Sequence, residues 1–146
     1  MDSDLISHFE HIYIDEKSRS SALALRVLDL FPAEKISFVS EAPLQNQKGP
    51  MTAEQFSRSK KLLYVKPFDG YFFKRCPGAT QKKALTCCKY YVLNLGSQCN
   101  MNCSYCYLQS YLNTPYMMMY SNIYQALGEL DEMAKAHPDL TYRVGT

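Results

Sequence analysis

Cys99, Cys103 and Cys106 crowd into one short segment, and no other feature constrains the chain as strongly. The spacing is C-x3-C-x2-C. Positions i, i+4 and i+7 also line one helix face, so one reading is a set of thiols buried on a helix. The residues between them favour a loop instead. Gly96 and Ser97 break the preceding apolar run, and Asn100, Asn102 and Ser104 compete with helical backbone bonding. A loop of this kind wraps one object. Structural zinc takes four closed ligands, usually from C-x2-C pairs, and the nearest cysteines able to complete a site are Cys87 and Cys88. An iron–sulfur cluster is held by thiolates in short spaced runs. Three of them on a cubane would leave one iron open to a substrate or cofactor. On spacing alone, cluster, zinc and buried thiols all stand as readings.

The compartment bears on that choice. The amino terminus, MDSDLISHFEH, carries acids where a secretory signal would carry basic residues and then an apolar run. No stretch approaches the roughly 18 apolar residues of a membrane span. These features predict a cytoplasmic protein without membrane contact, whose thiols stay reduced. Its 6 cysteines then read as metal-binding or catalytic groups rather than a disulfide framework. With 146 residues, 47% of them apolar and 21% charged, the chain has enough material for one ordinary folded core. A formal charge of +2 implies no particular partner.

The pattern divides the chain into three parts. Residues 1–41 read as a βαβ unit. Phe9–Ile14 has strand character, Ser20–Phe31 sets Ala24, Val27, Leu28 and Phe31 on one helical face before Pro32, and Ile36–Val39 is a second strand. Residues 42–89 read as a linker or loop region broken by Pro43, Gly49 and Pro50. Its charge is one-sided: Lys48, Arg58, Lys60, Lys61, Lys66, Lys74, Arg75, Lys82, Lys83 and Lys89 face only Glu54 and Asp69. Phe56, Tyr64, Phe68, Tyr71, Phe72 and Phe73 interleave with these cations. Such a mixture can hold phosphates and stack bases, or can be a solvated surface whose rings belong to the core.

Residues 90–146 restore order. Tyr90–Leu95 reads as a buried strand, followed by the cysteine loop from Gln98 to about Asn113. Thr114 and Pro115 are placed as the start of a long helix with Tyr116, Tyr120, Ile123, Leu127, Leu130 and Ala134 on one face, ending at His137-Pro138. The Met117-Met118-Met119 run fits core filler better than a ligand set. Leu140–Val144 is a final strand. Strand, loop, helix and strand in this order imply a second βαβ unit and a parallel sheet.

The flanks of the cysteine loop carry a more specific pattern. Cys76-Pro-Gly is followed by Cys87-Cys88-x-Tyr90-Tyr91-Val-Leu-Asn94, then by Cys99-x-x-x-Cys103-Ser104-Tyr105-Cys106-Tyr107-Leu108-Gln109. This run resembles the spore photoproduct lyase family of the radical S-adenosylmethionine (SAM) superfamily. Tyr142-Arg-Val-Gly-Thr146 echoes the end of that family's second barrel strand. The implied fold is α/β: the N-terminal βαβ unit, then the first strand–helix–strand of a partial (β/α) radical SAM barrel. A full (β/α)8 barrel takes about 250 residues, so a truncated or split-gene chain of weak independent stability is expected, with an unpaired edge at its last strand.

The resemblance also implies chemistry. Cys99, Cys103 and Cys106 would ligate a 4Fe-4S cluster, and SAM would chelate the open iron. Reductive cleavage of SAM gives methionine and a 5′-deoxyadenosyl radical, a reaction whose hard chemistry belongs to the cofactors. Tyr105 would lie near the adenosyl group, with Gly145 and Thr146 among the SAM contacts. Tyr105 and Tyr107 match the tyrosines of a hydrogen-atom relay. The implied partners are UV-damaged DNA carrying a crosslinked thymine pair, a reducing electron donor, and a second polypeptide completing the barrel. The other readings are a zinc or iron–sulfur nucleic-acid-binding module without catalysis, and a non-functional remnant.

Overall fold

The computed structural model describes residues 3–77, 90–101 and 103–145, with the side chains of residues 3–5 set aside. In chain order the elements are α1 (Ser3–His8), β1 (His11–Asp15), α2 (Ala22–Leu30), β2 (Ile36–Val39), α3 (Ala53–Ser59), β3 (Leu62–Lys66), β4 (Phe73–Arg75), β5 (Tyr90–Leu93), β6 (Gly96–Ser97), β7 (Met117–Tyr120), α4 (Ile123–Ala136) and β8 (Arg143–Gly145). They form two compact units, one of Met1–Phe68 with Gly96–Ser121, the other of Asp69–Leu95 with Asn122–Thr146.

The first unit is built on a five-stranded sheet in the order β2-β1-β3-β7-β6. Its first four strands are parallel, and β6 closes the edge antiparallel to β7. Ile12 and Ile14, two residues apart and therefore on one face, sit in register with Leu63 and Val65 of β3. With Ala24, Val27, Phe31 and Phe9 they make the buried core, against which Met117 also packs. Fully burying a Val or Ile side chain is worth about 1.5–3 kcal/mol. The helix α2 presents this face because Ser21 caps it, accepting from the Ala24 amide at 3.1 Å, and Phe31 ends it ahead of Pro32. The strand–helix–strand expected near the amino terminus is thus present as β1, α2 and β2.

The described part of the stretch expected as linker or loop, residues 42–77, contributes ordered elements. A capping box starts α3, with Thr52 and Gln55 exchanging bonds of 2.9 and 3.2 Å. The strand β3 pairs on both sides, with β1 and with β7. Its neighbours' rings are inside: Phe56, Tyr64, Phe72 and Phe73 are buried, and Phe68 stacks on Tyr120 with centroids 4.4 Å apart. Of the aromatic residues singled out as base-stacking candidates, Tyr71 alone is exposed. The others are buried, apart from Phe68, which is half-buried.

The helix expected from Thr114 is a correction. Met117–Tyr120 is the strand β7, paired residue for residue with Leu63–Lys66, and α4 begins only at Ile123. A partner strand overrides the local helical spacing, as methionine and tyrosine accept either geometry. Met117 and Met118 are half-buried, in keeping with a packing role.

The second unit holds a three-stranded sheet in the order β4-β5-β8. β5 and β8 run parallel and are linked in sequence through α4, which ends at Ala136 as expected, while β4 lies antiparallel to β5. Phe73, Tyr91 and Tyr142 cluster here, Phe73 stacked on Tyr91 at 5.0 Å. Glu129 of α4 accepts from the Phe73 amide at 2.9 Å. Among the described residues, no helix is long and apolar enough to cross a membrane.

Candidate metal centre

The cysteine loop leaves from β6 and returns through β7, and the two strands are neighbours. Gly96 opposes Met119 and Ser97 opposes Met118. A side chain at Gly96 would run into the Met118 carbonyl, so this close approach requires glycine. Gln98 then turns the chain at φ 72°, in the left-handed region that few non-glycine residues adopt.

Gln98 is held there by its side chain. Its amide nitrogen donates to the Thr114 carbonyl at 2.6 Å, and its amide oxygen accepts from the Ser59 hydroxyl at 3.1 Å. One residue thereby ties both feet of the loop to each other and to the end of α3. Beside it, Lys60 sends its ammonium to the Met101 carbonyl, between the first and second cysteines. At the far side of the loop the Asn113 carbonyl accepts from the Gln47 amide at 2.9 Å, and the Asn113 side chain donates to the Gln47 carbonyl at 3.1 Å.

Within the loop, the Met101 amide donates to Cys99 Sγ at 3.4 Å. The Cys106 amide donates to the Cys103 carbonyl at 3.2 Å, forming a turn that leads into the 3-10 helix Tyr107–Ser110. Gln109 reinforces this turn, its amide bonding the Cys106 carbonyl at 3.3 Å and its side chain the Cys103 carbonyl at 3.4 Å. All three cysteines are free thiols, Cys99 exposed and the other two half-buried. They lie in the loop conformation expected from the asparagines and Ser104, not on a helix face.

Tyr105 is 88% exposed and Tyr107 is also exposed. The Tyr107 and Tyr111 hydroxyls are hydrogen-bonded to each other, their ring centroids 4.7 Å apart. That bond raises the Tyr111 phenol above its ordinary pKa. Gly145 lies in β8 of the second unit, whereas Cys87, Cys88 and Thr146 fall outside the described residues.

Solved structures of spore photoproduct lyase match this architecture. A double mutant with bound AdoMet and dinucleoside spore photoproduct aligns with a TM-score of 0.67 at 20% identity, over 95% of this chain and 41% of that one. The fold is that of a spore photoproduct lyase segment. A point mutant of the same enzyme gives a TM-score of 0.64 at 17% identity, and the enzyme complexed with dinucleoside spore photoproduct gives 0.66 at 17%. The chain spans about two fifths of the length of these structures, 39% and 38% of the latter two. No protein-family model and no curated protein matches the sequence.

The donor set suits an iron–sulfur cluster. Three thiols free of disulfides on one tethered loop are the right ligand type, and an N–H aimed at Cys99 Sγ is the kind of bond that tunes a cluster sulfur. Among the described residues no three of His, Cys, Asp or Glu converge into a ready-made metal site. Sequence reasoning missed the supports, Ser59, Lys60, Gln98 and Thr114. Their partners lie 16 to 41 residues away along the chain, beyond any local pattern.

Proposed function

We propose that this chain is the cluster-binding portion of a radical SAM lyase of the spore photoproduct lyase type, which reverses a thymine crosslink in UV-damaged DNA. The observation that carries this reading is the three-thiol loop, tethered at both feet, within a fold matching that enzyme over most of this chain. Cys99, Cys103 and Cys106 are the residues that would hold a 4Fe-4S cluster. When bound, the cluster and SAM supply one-electron reductive chemistry and a carbon-centred radical.

The chain's own residues have narrower tasks. The Met101 amide steadies Cys99 Sγ, and the turn at Cys103–Cys106 sets the spacing of the other two thiols. Tyr105 projects from the loop and is suited to cover the adenosyl group. Gly145 and Thr146 are the proposed SAM contacts of the last strand. Tyr107 offers a phenolic hydrogen whose loss leaves a delocalised radical, which is the requirement for a relay. The basic side chains Lys48, Arg58, Lys74 and Arg75 are exposed and can meet phosphates. An electron donor is required as a partner.

Anaerobic reconstitution with iron and sulfide tests the reading. The chain should turn brown and hold about four irons. Cys103→Ala should abolish the colour, while Cys87→Ala should leave it. A colourless chain that takes zinc in preference to iron would overturn the assignment.

A further inference from the structure

Lys60 is the one basic side chain among the described residues that is almost wholly enclosed, at 2% exposure. It closes α3, where its amide donates to the Ser57 carbonyl at 3.3 Å and its own carbonyl is bonded by the His8 ring at 3.1 Å. The backbone is therefore fixed, and the side chain runs inward. Its ammonium lies over the Phe56 ring, 4.2 Å from the centroid, and bonds the Met101 carbonyl. Among the described residues no carboxylate pairs with it.

A buried ammonium is costly unless an anion compensates it. A ring face and one carbonyl offset that cost only in part. The carbonyl belongs to a residue between Cys99 and Cys103, so the charge is directed at a loop whose three thiols become anions on binding iron. Three cysteines bound to iron are thiolates, and together they outweigh the charge of a cluster core. Net charge and burial near a cluster set its reduction potential.

We propose that Lys60 is the internal counter-cation of the three-cysteine loop, holding the Met101 carbonyl and offsetting the negative charge of the thiolates at Cys99, Cys103 and Cys106. The assignment rests on the cluster-binding reading above. Lys60 is a positioning residue that touches neither substrate nor reacting atoms. It makes the bound cluster easier to reduce, because the added electron enters a region already holding a positive charge. The compact ammonium suits a narrow, enclosed position better than a broader cation does.

The test is a potentiometric titration of the reconstituted chain followed by electron paramagnetic resonance, with iron content measured in parallel. Lys60→Met removes the charge and keeps the stem. Lys60→Gln keeps a donor for the Met101 carbonyl without the charge, and serves if Lys60→Met does not fold. Lys60→Arg keeps the charge. Both neutral variants should lower the midpoint potential by at least about 59 mV, a tenfold change for one electron, while Lys60→Arg stays closer to the wild type. A wild-type potential in Lys60→Gln, with full iron content, overturns the Lys60 assignment and leaves the cluster reading standing. A wild-type chain that takes up no iron removes both.

Discussion

The Tyr64 hydroxyl donates to the Asp15 carboxylate across 3.0 Å, tying the end of β1 to the middle of the adjacent parallel strand β3 inside the first unit. The other Asp15 oxygen accepts from the Lys17 amide at 2.9 Å and starts the turn Glu16–Ser18. Both groups are buried, so this carboxylate has little water to fall back on. Nearby, Ser18 and Ser121 share a buried hydroxyl bond of 2.7 Å, carrying the polar seam to the end of β7.

Removing the phenol should expose the cost of that arrangement. Tyr64→Phe leaves a buried carboxylate oxygen short of a partner, and about 1.5–3 kcal/mol of stability should be lost. Urea unfolding of the variant should show a lower midpoint with an unchanged slope.

Alkaline pH probes the same bond without a mutation. Burial, and then the Asp15 carboxylate, raise the Tyr64 phenol well above its ordinary pKa of 10.0. Burial raises Tyr116 too. A phenol that keeps its proton longer when folded contributes stability that is complete below the unfolded value, about pH 10, and is lost as pH climbs from there toward the folded value. Stability measured by denaturant titration should therefore fall above pH 10, and Tyr64→Phe should flatten that decline.

Gly96→Ala tests the root of the cysteine loop. The new carbon meets the Met118 carbonyl, a backbone atom that cannot turn aside, so β6 must move off β7. A loss of about 1–3 kcal/mol is expected from such overpacking. Gly145→Ala makes the comparison, since its added carbon meets the hydroxyl end of the Tyr90 side chain. It should cost less in the same thermal or urea unfolding measurement.

In the second unit, Glu129 bonds the Phe73 amide with one oxygen and the Gln125 side chain, at 3.1 Å, with the other. Glu129→Ala should free the first amide of β4 and cost about 1–3 kcal/mol. Hydrogen exchange at Phe73 should quicken, whereas exchange at Ile12 in the other unit should not change.

The legible parts of the sequence were those where local pattern and tertiary need agree. Ile12 and Ile14 alternate as a strand, Ala24, Val27 and Phe31 recur as a helix face, and the structure buries all five, while Leu28, expected on the same face, is exposed. The cysteine segment was readable as a loop because Gly96 and its asparagines deny it helical bonding. The rest depended on distant partners. Leu62–Lys66 carries a lysine and follows Lys60 and Lys61, so its place between β1 and β7 was hidden by charge. Tyr116 and Tyr120 have helical spacing yet belong to a strand region, since β3 supplies Met117–Tyr120 with a ladder. Lys60 looked like one more surface cation. Only the fold shows it turned inward to Met101.

The loop's two feet stand on neighbouring strands and are cross-braced by one glutamine side chain. Most of the entropy of closing this ring is thus spent when the sheet forms, before any guest arrives. A free peptide of residues 96–119 would have to meet that cost itself at the moment of capture. Loading should therefore follow folding, and the excised ring should be a far poorer trap for iron than the intact protein.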